Sequence, residues 1–389
     1  MRGHIRERKP GTWELAFDVG YDVDLDTGER RRKQKFVTFH GTKRKAERKL
    51  RELVGDVEKG GFVEPSRITV GEWLSTWFKS HRESLKPRTR ETYLHVLESH
   101  LRPGLGSIAL QRLTSINIEH YYQTKREEEK RLSESTLAMH QAILHRALSS
   151  AKKKRLVHEN QAQLVDGKPK HRRAGDGIRG QCWEASEARQ FLATARKAGP
   201  QQGAFYTLAL ELGLRKAELC GLKWEDIDLD ECEVVIARQL VKPGSSPVFG
   251  DPKSDSGRRT LDISVDTAKL LAAHRKHQAE FKMRHRDSHR DHGLVFAKET
   301  GTALGDPLQM NNLGQREFAK LVEEAEVRPI KFHGLRHTSA TLALNAGVPV
   351  KVVSHRLGHG RTQITMDIYA HALPTAQKDA AAKMASLLR

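Results

Sequence analysis

The sequence predicts a multidomain, mainly α-helical protein with small β-sheets. An N-terminal three-stranded sheet plus one helix comes first, then a helical domain, then a mixed α+β domain. Three observations carry this. The chain has 389 residues, room for two or three domains at roughly 100–200 residues each. Its first forty residues alternate apolar and polar side chains at the strand period, whereas helical periods dominate from about residue 69 onward. Two stretches rich in Gly, Pro and charge, "GGFVEPSR" and "VDGKPKHRRAGDGIRG", separate these regions. The expected boundaries are residues 1–62, 67–160, a linker at 161–179, and 180–389.

In the first region, "TWELAFDVGYDV" reads as a half-buried strand, "DTGE" (Asp26 to Glu29) as a turn and "RRRKQKFVTF" as the returning strand. The second strand carries Arg30, Arg31, Arg32, Lys33 and Lys35. A cationic strand beside a small sheet can lie in a DNA groove, and a solvated basic face explains the same residues. "TKRKAERKLRELVGDVEKG" follows as an amphipathic helix. Ala46, Leu50, Leu53 and Val57 form its apolar stripe, and Gly60–Gly61 ends it.

The second region holds four or so helices with short connections. "ITVGEWLSTWFKSHRES" opens it with Trp73, Leu74, Trp77 and Phe78 on one face. "KPRTRETYLHVLESHL" sets Lys86, Arg88 and Arg90 at a helix start, suited to phosphates or simply to water. The third region begins with three helical segments, "EASEARQFLATARKAG", "AFYTLALELG" and "LRKAELCGL". A strand pair or three-stranded sheet follows, from "CEVVIARQL" to "RRTLDIS". Helices then continue to the end.

Composition narrows the function. Lys+Arg number 68 against Asp+Glu 49, a net charge of +19. A chain this basic faces a polyanion, nucleic acid first and an anionic membrane surface second. No apolar run approaches the roughly 18–20 residues of a membrane span. "MRGHIRERKPG" lacks the apolar stretch of a secretory signal. The three cysteines (Cys182, Cys220, Cys232) form no CxxC pair, which fits a reduced, cytoplasmic protein without a disulfide framework.

Four motifs lie in the third region. In "LELGLRKAELCGLKWEDID", Gly213 breaks one helix and Arg215 starts the next, with Glu218 three residues on to brace it and Leu219 and Leu222 inward. An ordinary surface pair explains the same spacing. In "GDPKSDSGRRTLDIS", the tight turn places Lys253 at a hairpin tip, able to bring an ammonium into a site or to stay solvated. In "KFHGLRHTSATLALNAGVPVKVVSHRLGHG", His333 and Arg336 share a face at a helix start, where free N–H groups and the dipole favour an anion. His359 sits in a glycine-flanked turn. This stretch also has a helix–turn–helix rhythm through Ala340, Gly347, Val348, Val353 and Leu357. A zinc reading of His333, His337, His355 and His359 lacks an HExxH pattern and a further anionic ligand. Last, Tyr369 in "TMDIYAHALP" is core by habit. It becomes a nucleophile only where cations stabilise its phenolate, and Arg215, Arg336 and Lys253 are the candidates.

"GLRKAEL", "PKSDSGRR", "HGLRH", "LGH" and a tyrosine ten residues on, in that order, resemble the tyrosine recombinase (phage integrase) family over the last 200 residues or so. By the resemblance, the helical region is a core-binding domain and the basic N-terminal sheet an arm-binding domain. It implies that Arg215 and Arg336 hold the scissile phosphate, Glu218 braces Arg215, Lys253 is the hairpin lysine, and His333 and His359 assist. Tyr369 is then the nucleophile, forming a 3′-phosphotyrosyl link and freeing a 5′-hydroxyl, with no cofactor and no metal. His355 stands where many relatives carry Glu or Gln. The implied partners are double-stranded DNA at core and arm attachment sites, a homotetramer acting through a Holliday junction, and DNA-bending accessory proteins or an excision factor, without a membrane. The implied place is the bacterial cytoplasm, at the nucleoid. The C-terminal helix in "LPTAQKDAAAKMASLL" would pack on a neighbouring protomer or on its own domain. A non-catalytic helix–turn–helix regulator and a type IB topoisomerase are the competing functions.

Overall fold

A computed structural model describes residues 3–23, 30–58, 63–129, 131–170, 180–252, 255–369, 384–386 and 388, with the side chains of 20–23, 30–32, 56, 255 and 368 left aside. The expected turn at Asp26 to Glu29, the stop at Gly60–Gly61, Lys253, His371 and most of the C-terminal helix fall outside these residues. The chain divides into two compact units, Met1–Arg172 and Arg173–Arg389.

The first unit begins with an antiparallel meander, β1 (Gly3–Lys9), β2 (Thr12–Val23) and β3 (Arg30–His40). Its register pairs Ile5 with Leu15 and Leu15 with Val37. Alternation then puts Leu15 and Phe17 on a buried face. Helix α1 (Lys43–Glu58) lies on the sheet with Ala46 buried and Leu50, Leu53 and Val57 half-buried. Trp13 Nε1 donates to Gly41 O at 2.9 Å and closes the turn into the helix.

Helix α2 (Val70–His81) starts at a reciprocal cap. Glu72 N donates to Thr69 Oγ1 at 3.2 Å, and Thr69 N donates to Glu72 Oε2 at 2.8 Å. Trp73, Leu74, Trp77 and Phe78 are buried as one stripe. Helix α3 (Pro87–Val96) passes through one wide turn into α4 (Arg102–Leu105), and α5 (Ser115–Glu127), α6 (Glu134–Lys153) and the short α7 (Gln161–Leu164) complete the unit. Trp73 Nε1 finds Ala147 O of α6 at 2.9 Å, so the buried indole is satisfied.

In the second unit α8 (Ala185–Ala198) precedes α9 (Pro200–Leu212), which is apolar nearly all round and runs through the core. After α10 (Lys216–Leu219) come β4 (Ile227–Asp228), β5 (Glu233–Ile236), β6 (Gln239–Lys242), β7 (Val248–Gly250) and β8 (Arg259–Asp262). They form two sheets, β4-β5-β8 and β6-β7. "CEVVIARQL" is therefore two strands in different sheets. The strands on either side of Lys253 also do not pair with each other, contrary to the expected hairpin. The reason lies in the inward residues of β8. Arg259 and Leu261 are buried opposite Ile236 and Val234 of β5, while β7 closes onto β6. Helices α11 (Val265–Arg284), α12 (Met310–Asn312), α13 (Phe318–Glu324), α14 (Gly334–Asn345), α15 (Val350–Leu357) and α16 (Thr362–Tyr369) finish the unit. The helix–turn–helix rhythm is real as geometry, with Gly347 in the turn between α14 and α15. Ala340, Leu344, Val353 and Leu357 spend their apolar faces on Tyr369 of α16.

Candidate active site

Two helix ends meet the start of a third at this site. Helix α9 stops at Gly213 (φ 62°) and α15 at Gly358 (φ 65°), both left-handed. Glycine takes this conformation without the clash a Cβ suffers. A Cβ on Gly213 would stand 2.8 Å from Leu357 Cδ2, and one on Gly358 would stand 2.7 Å from Arg259 Nη1. The carbonyls at these ends then become acceptors. Arg336, in the first turn of α14, donates from Nη1 to Gly213 O at 2.8 Å and from Nη2 to Leu357 O at 2.6 Å. The residue is 3% exposed. Burial, and then Arg215 nearby, lower its pKa to about 10, so it is still charged at neutral pH.

Arg215 caps α10. Its N–H donates to Glu218 Oε2 at 3.0 Å, its Nη1 to Glu218 Oε1 at 2.7 Å and its Nη2 to Gly358 O at 3.2 Å. Glu218 thus braces Arg215, as expected, but it has a second partner that sequence reasoning missed. Arg259, fully buried, donates from Nη2 to Glu218 Oε2 at 3.1 Å, from Nε to Arg356 O at 2.8 Å and from Nη1 to Gly257 O at 2.7 Å. Burial pushes the Glu218 carboxyl up, but Arg259 and Arg215 outweigh it and hold it below the usual range. The signal for Arg259 was present as a cation on the inward parity of a strand.

Tyr369 ends α16 and is 1% exposed. Burial pushes its phenol well above the ordinary range, against the pull of Arg336. Its Oη lies 2.8 Å from His337 Nδ1, another residue the sequence reading left without a role beyond zinc. Burial, then His333 and Arg336, push His337 down to about 4. His359 Nδ1 lies 2.8 Å from Thr365 Oγ1, and burial followed by Arg336, Arg215 and Arg259 lowers it to about 4 as well. His333 is exposed at its outer edge. Partial withdrawal from water, then Arg336, Arg215 and Lys216, keep it below the usual imidazole range. At neutral pH the site therefore sets neutral imidazoles among fixed guanidiniums, and Glu218, its carboxylate among the described residues, is spent on two arginines.

Arg215, Glu218, His333, His359 and Tyr369 are brought together around Arg336, whose charge reaches each of them. Among the described residues no group of three His, Cys, Asp or Glu side chains is placed to hold a metal ion. The surface cations are more mixed. Lys86 caps α3 and is exposed, Arg88 pairs with Glu91 at 3.2 Å, and Arg90 Nε donates to Arg82 O at 3.1 Å. Lys33 is exposed on β3, whereas Lys35 is half-buried against Glu64. Phe36, 61% exposed on the open face of the sheet, was not singled out from the sequence.

A family model described as the phage integrase family matches residues 181–375, and one described as the phage integrase N-terminal SAM-like domain matches residues 69–126. A XerC-like tyrosine recombinase of Caldanaerobacter subterraneus is 28% identical, covering 88% of this chain and 89% of its own length. An integrase of Streptomyces ambofaciens is 26% identical over 93% of this chain and 90% of its own. Among solved structures, the Tn1549 transposon integrase in complex with transposon right end DNA superposes with a TM-score of 0.66 at 20% identity, covering 83% of this chain and all of that one. A lambda integrase tetramer bound to a Holliday junction gives 0.56 at 17% identity, covering 94% and 95%.

Proposed function

The chain belongs to the phage integrase family of tyrosine recombinases, and from that premise we propose how its own residues cut and rejoin DNA. It is a site-specific recombinase of mobile-element type. In our reading Arg215 and Arg336 bind the non-bridging oxygens of the scissile phosphate. Their guanidiniums are pinned by Glu218, Gly358 O, Gly213 O and Leu357 O, so little reorientation is left to do when charge builds on phosphorus. Fixed donors of this kind contribute about 3–4 kcal/mol each to a transition state. Tyr369 Oη attacks phosphorus, the P–O5′ bond breaks, and the 5′-oxygen takes a proton from Lys253, with His333 assisting the proton transfer. His359 donates to the phosphoryl oxygens. The phosphodiester energy is kept in the 3′-phosphotyrosyl bond. Attack by a 5′-hydroxyl from a second strand reverses the steps and joins new ends. The observation that carries this reading is that Tyr369 and both arginines converge on the first turn of α14.

By the same reading, residues 1–62 contact arm sites, with Arg30, Arg31, Arg32, Lys33, Lys35 and the exposed Phe36 as candidates. Residues 67–160 contact core sites, with Lys86, Arg88 and Arg90 at the start of α3. In this reading the protein assembles as a tetramer on paired DNA sites, which the likeness to a lambda integrase tetramer bound to a Holliday junction supports, and accessory DNA-bending proteins or an excision factor complete the partners.

The test is a nicked duplex carrying the attachment site. Wild type should leave a denaturant-resistant protein–DNA adduct, and Tyr369→Phe none. An equal adduct from Tyr369→Phe, or none from wild type, removes the assignment. Cleavage should persist in EDTA, and strict metal dependence would remove the metal-free mechanism. Relaxation of a supercoiled plasmid lacking the site points instead to a topoisomerase.

A further inference from the structure

A phenol that attacks phosphorus must give up its proton, and Tyr369 needs an acceptor for it. Tyr369 is buried, so bulk water is not at its hydroxyl. Tyr369 Oη is hydrogen-bonded to His337 Nδ1 at 2.8 Å. We propose that His337 is the base that takes the Tyr369 proton during cleavage and returns it during rejoining.

The geometry assigns this role on three grounds. First, His337 follows Arg336 directly on α14, so the same rigid turn that fixes a phosphate-binding guanidinium fixes the imidazole. Secondly, the ring is held from both sides. The His333 ring stands edge-on at 4.8 Å and the Tyr369 ring lies tilted at 5.8 Å, which leaves Nδ1 aimed at the hydroxyl. Thirdly, the charged and titratable groups facing His337 are His333 and Arg336 on α14 and Tyr369 on α16, with Cys182 beside the tyrosine. The imidazole stays neutral there at physiological pH and is free to accept.

The step balances. The Tyr369 O–H bond breaks and an N–H bond forms at Nδ1 as the oxygen–phosphorus bond forms and the P–O5′ bond breaks, with the 5′-oxygen protonated by a separate acid. In rejoining, the phosphotyrosyl bond breaks and the proton moves back to the phenol oxygen. Transfer ahead of attack would strand a phenolate beside an imidazolium against a large mismatch in basicity. The proton therefore moves as the bond to phosphorus forms, when the oxygen loses its basicity. Arg336, one residue away, sets the phosphate beside the pair at that moment.

This inference rests on Tyr369 being the nucleophile. The test is single-turnover adduct formation on the nicked duplex, from pH 6 to 9, for wild type, His337→Ala and His337→Asn. DNA binding by gel shift checks that each variant is folded. A general base contributes about 100- to 10,000-fold. His337→Ala should lose that much at pH 7. Its rate should climb about tenfold per pH unit as hydroxide takes over, and added imidazole should restore it in proportion to the neutral imidazole present. His337→Asn keeps an acceptor without a base and should be as slow. A wild-type rate in either variant overturns the proposal. So does a slow variant whose pH profile matches wild type and ignores imidazole, because that is a purely structural loss. If His337→Ala does not bind DNA, His337→Asn decides alone. Absence of an adduct from wild type would instead overturn the reading of Tyr369.

Discussion

Glu218 and Arg259 illustrate how one side chain positions another that it never replaces. The carboxylate is buried and shared between Arg215, which faces the site, and Arg259, which does not. Removing Arg259 leaves a buried carboxylate with half its compensation. Truncating one partner of such a pair costs about 3–5 kcal/mol, more than the pair itself contributes. Arg259→Ala should therefore lower the unfolding free energy of the second unit by about that much in urea titrations, and should slow adduct formation through Arg215. A neutral effect on both would mean that Arg215 and the backbone satisfy Glu218 unaided. The pH sense of this pair is fixed by direction. Because Glu218 is held below its ordinary value, its contribution is complete above that value and is lost as the pH falls below it.

The ends of α9 and α15 do at the element scale what Glu218 does at the residue scale. Gly213 and Gly358 each turn a helix end so that a carbonyl points at a guanidinium of the candidate site, Arg336 or Arg215. Alanine at Gly213 takes on left-handed strain of about 1–2 kcal/mol, and its Cβ must also displace Leu357 or Ser339. Gly213→Ala should lower thermal stability and cleavage together, and cleavage should fall further than the remaining folded fraction explains. Unchanged adduct rates would show that the Gly213 carbonyl does not set Arg336. Much of this was legible beforehand. The glycine after a helical run, the arginine two residues on and the i,i+3 glutamate are local signals for Arg215 and Glu218, whereas their grouping with His333, Arg336, His359 and Tyr369 was legible only through the ordered motifs of the family resemblance. What was not legible is non-local. A four-residue strand does not name its partner, so the pairing of β8 with β5 and the burial of Arg259 were missed. His337 sits at no telling period, and the return of α16 onto α14 brings Tyr369 against it.

At the scale of the whole molecule, the proposed function assigns DNA capture to the first unit and chemistry to the second. Removal of residues 1–62 should weaken binding to arm sites while core-site cleavage persists, and equal arm binding by the truncated protein would contradict that division. Acid should also separate the units. His274, fully buried, lies 2.7 Å from Val295 O through Nε2, and His140 is fully buried beside Tyr121. Burial is the largest cause in each, and both are held down to about 4 against an ordinary value of 6.5. The unfolded chain therefore binds protons between pH 6.5 and 4 that the folded chain refuses. The stability these groups contribute is complete above pH 6.5 and is lost as pH falls toward 4. The slope is about 1.4 kcal/mol per pH unit for each such histidine. Among the described residues, the first unit has one histidine held down to about 4, and His100 lowered in the same direction. The second has three, His274, His337 and His359. The second unit should accordingly lose stability more steeply on acidification and unfold first, as followed by hydrogen exchange or urea midpoints at pH 7, 6 and 5. His274→Gln keeps a donor for Val295 O and should flatten the slope of the second unit by about 1.4 kcal/mol per pH unit. If it leaves the slope unchanged, burial of that imidazole is not what makes the unit sensitive to acid.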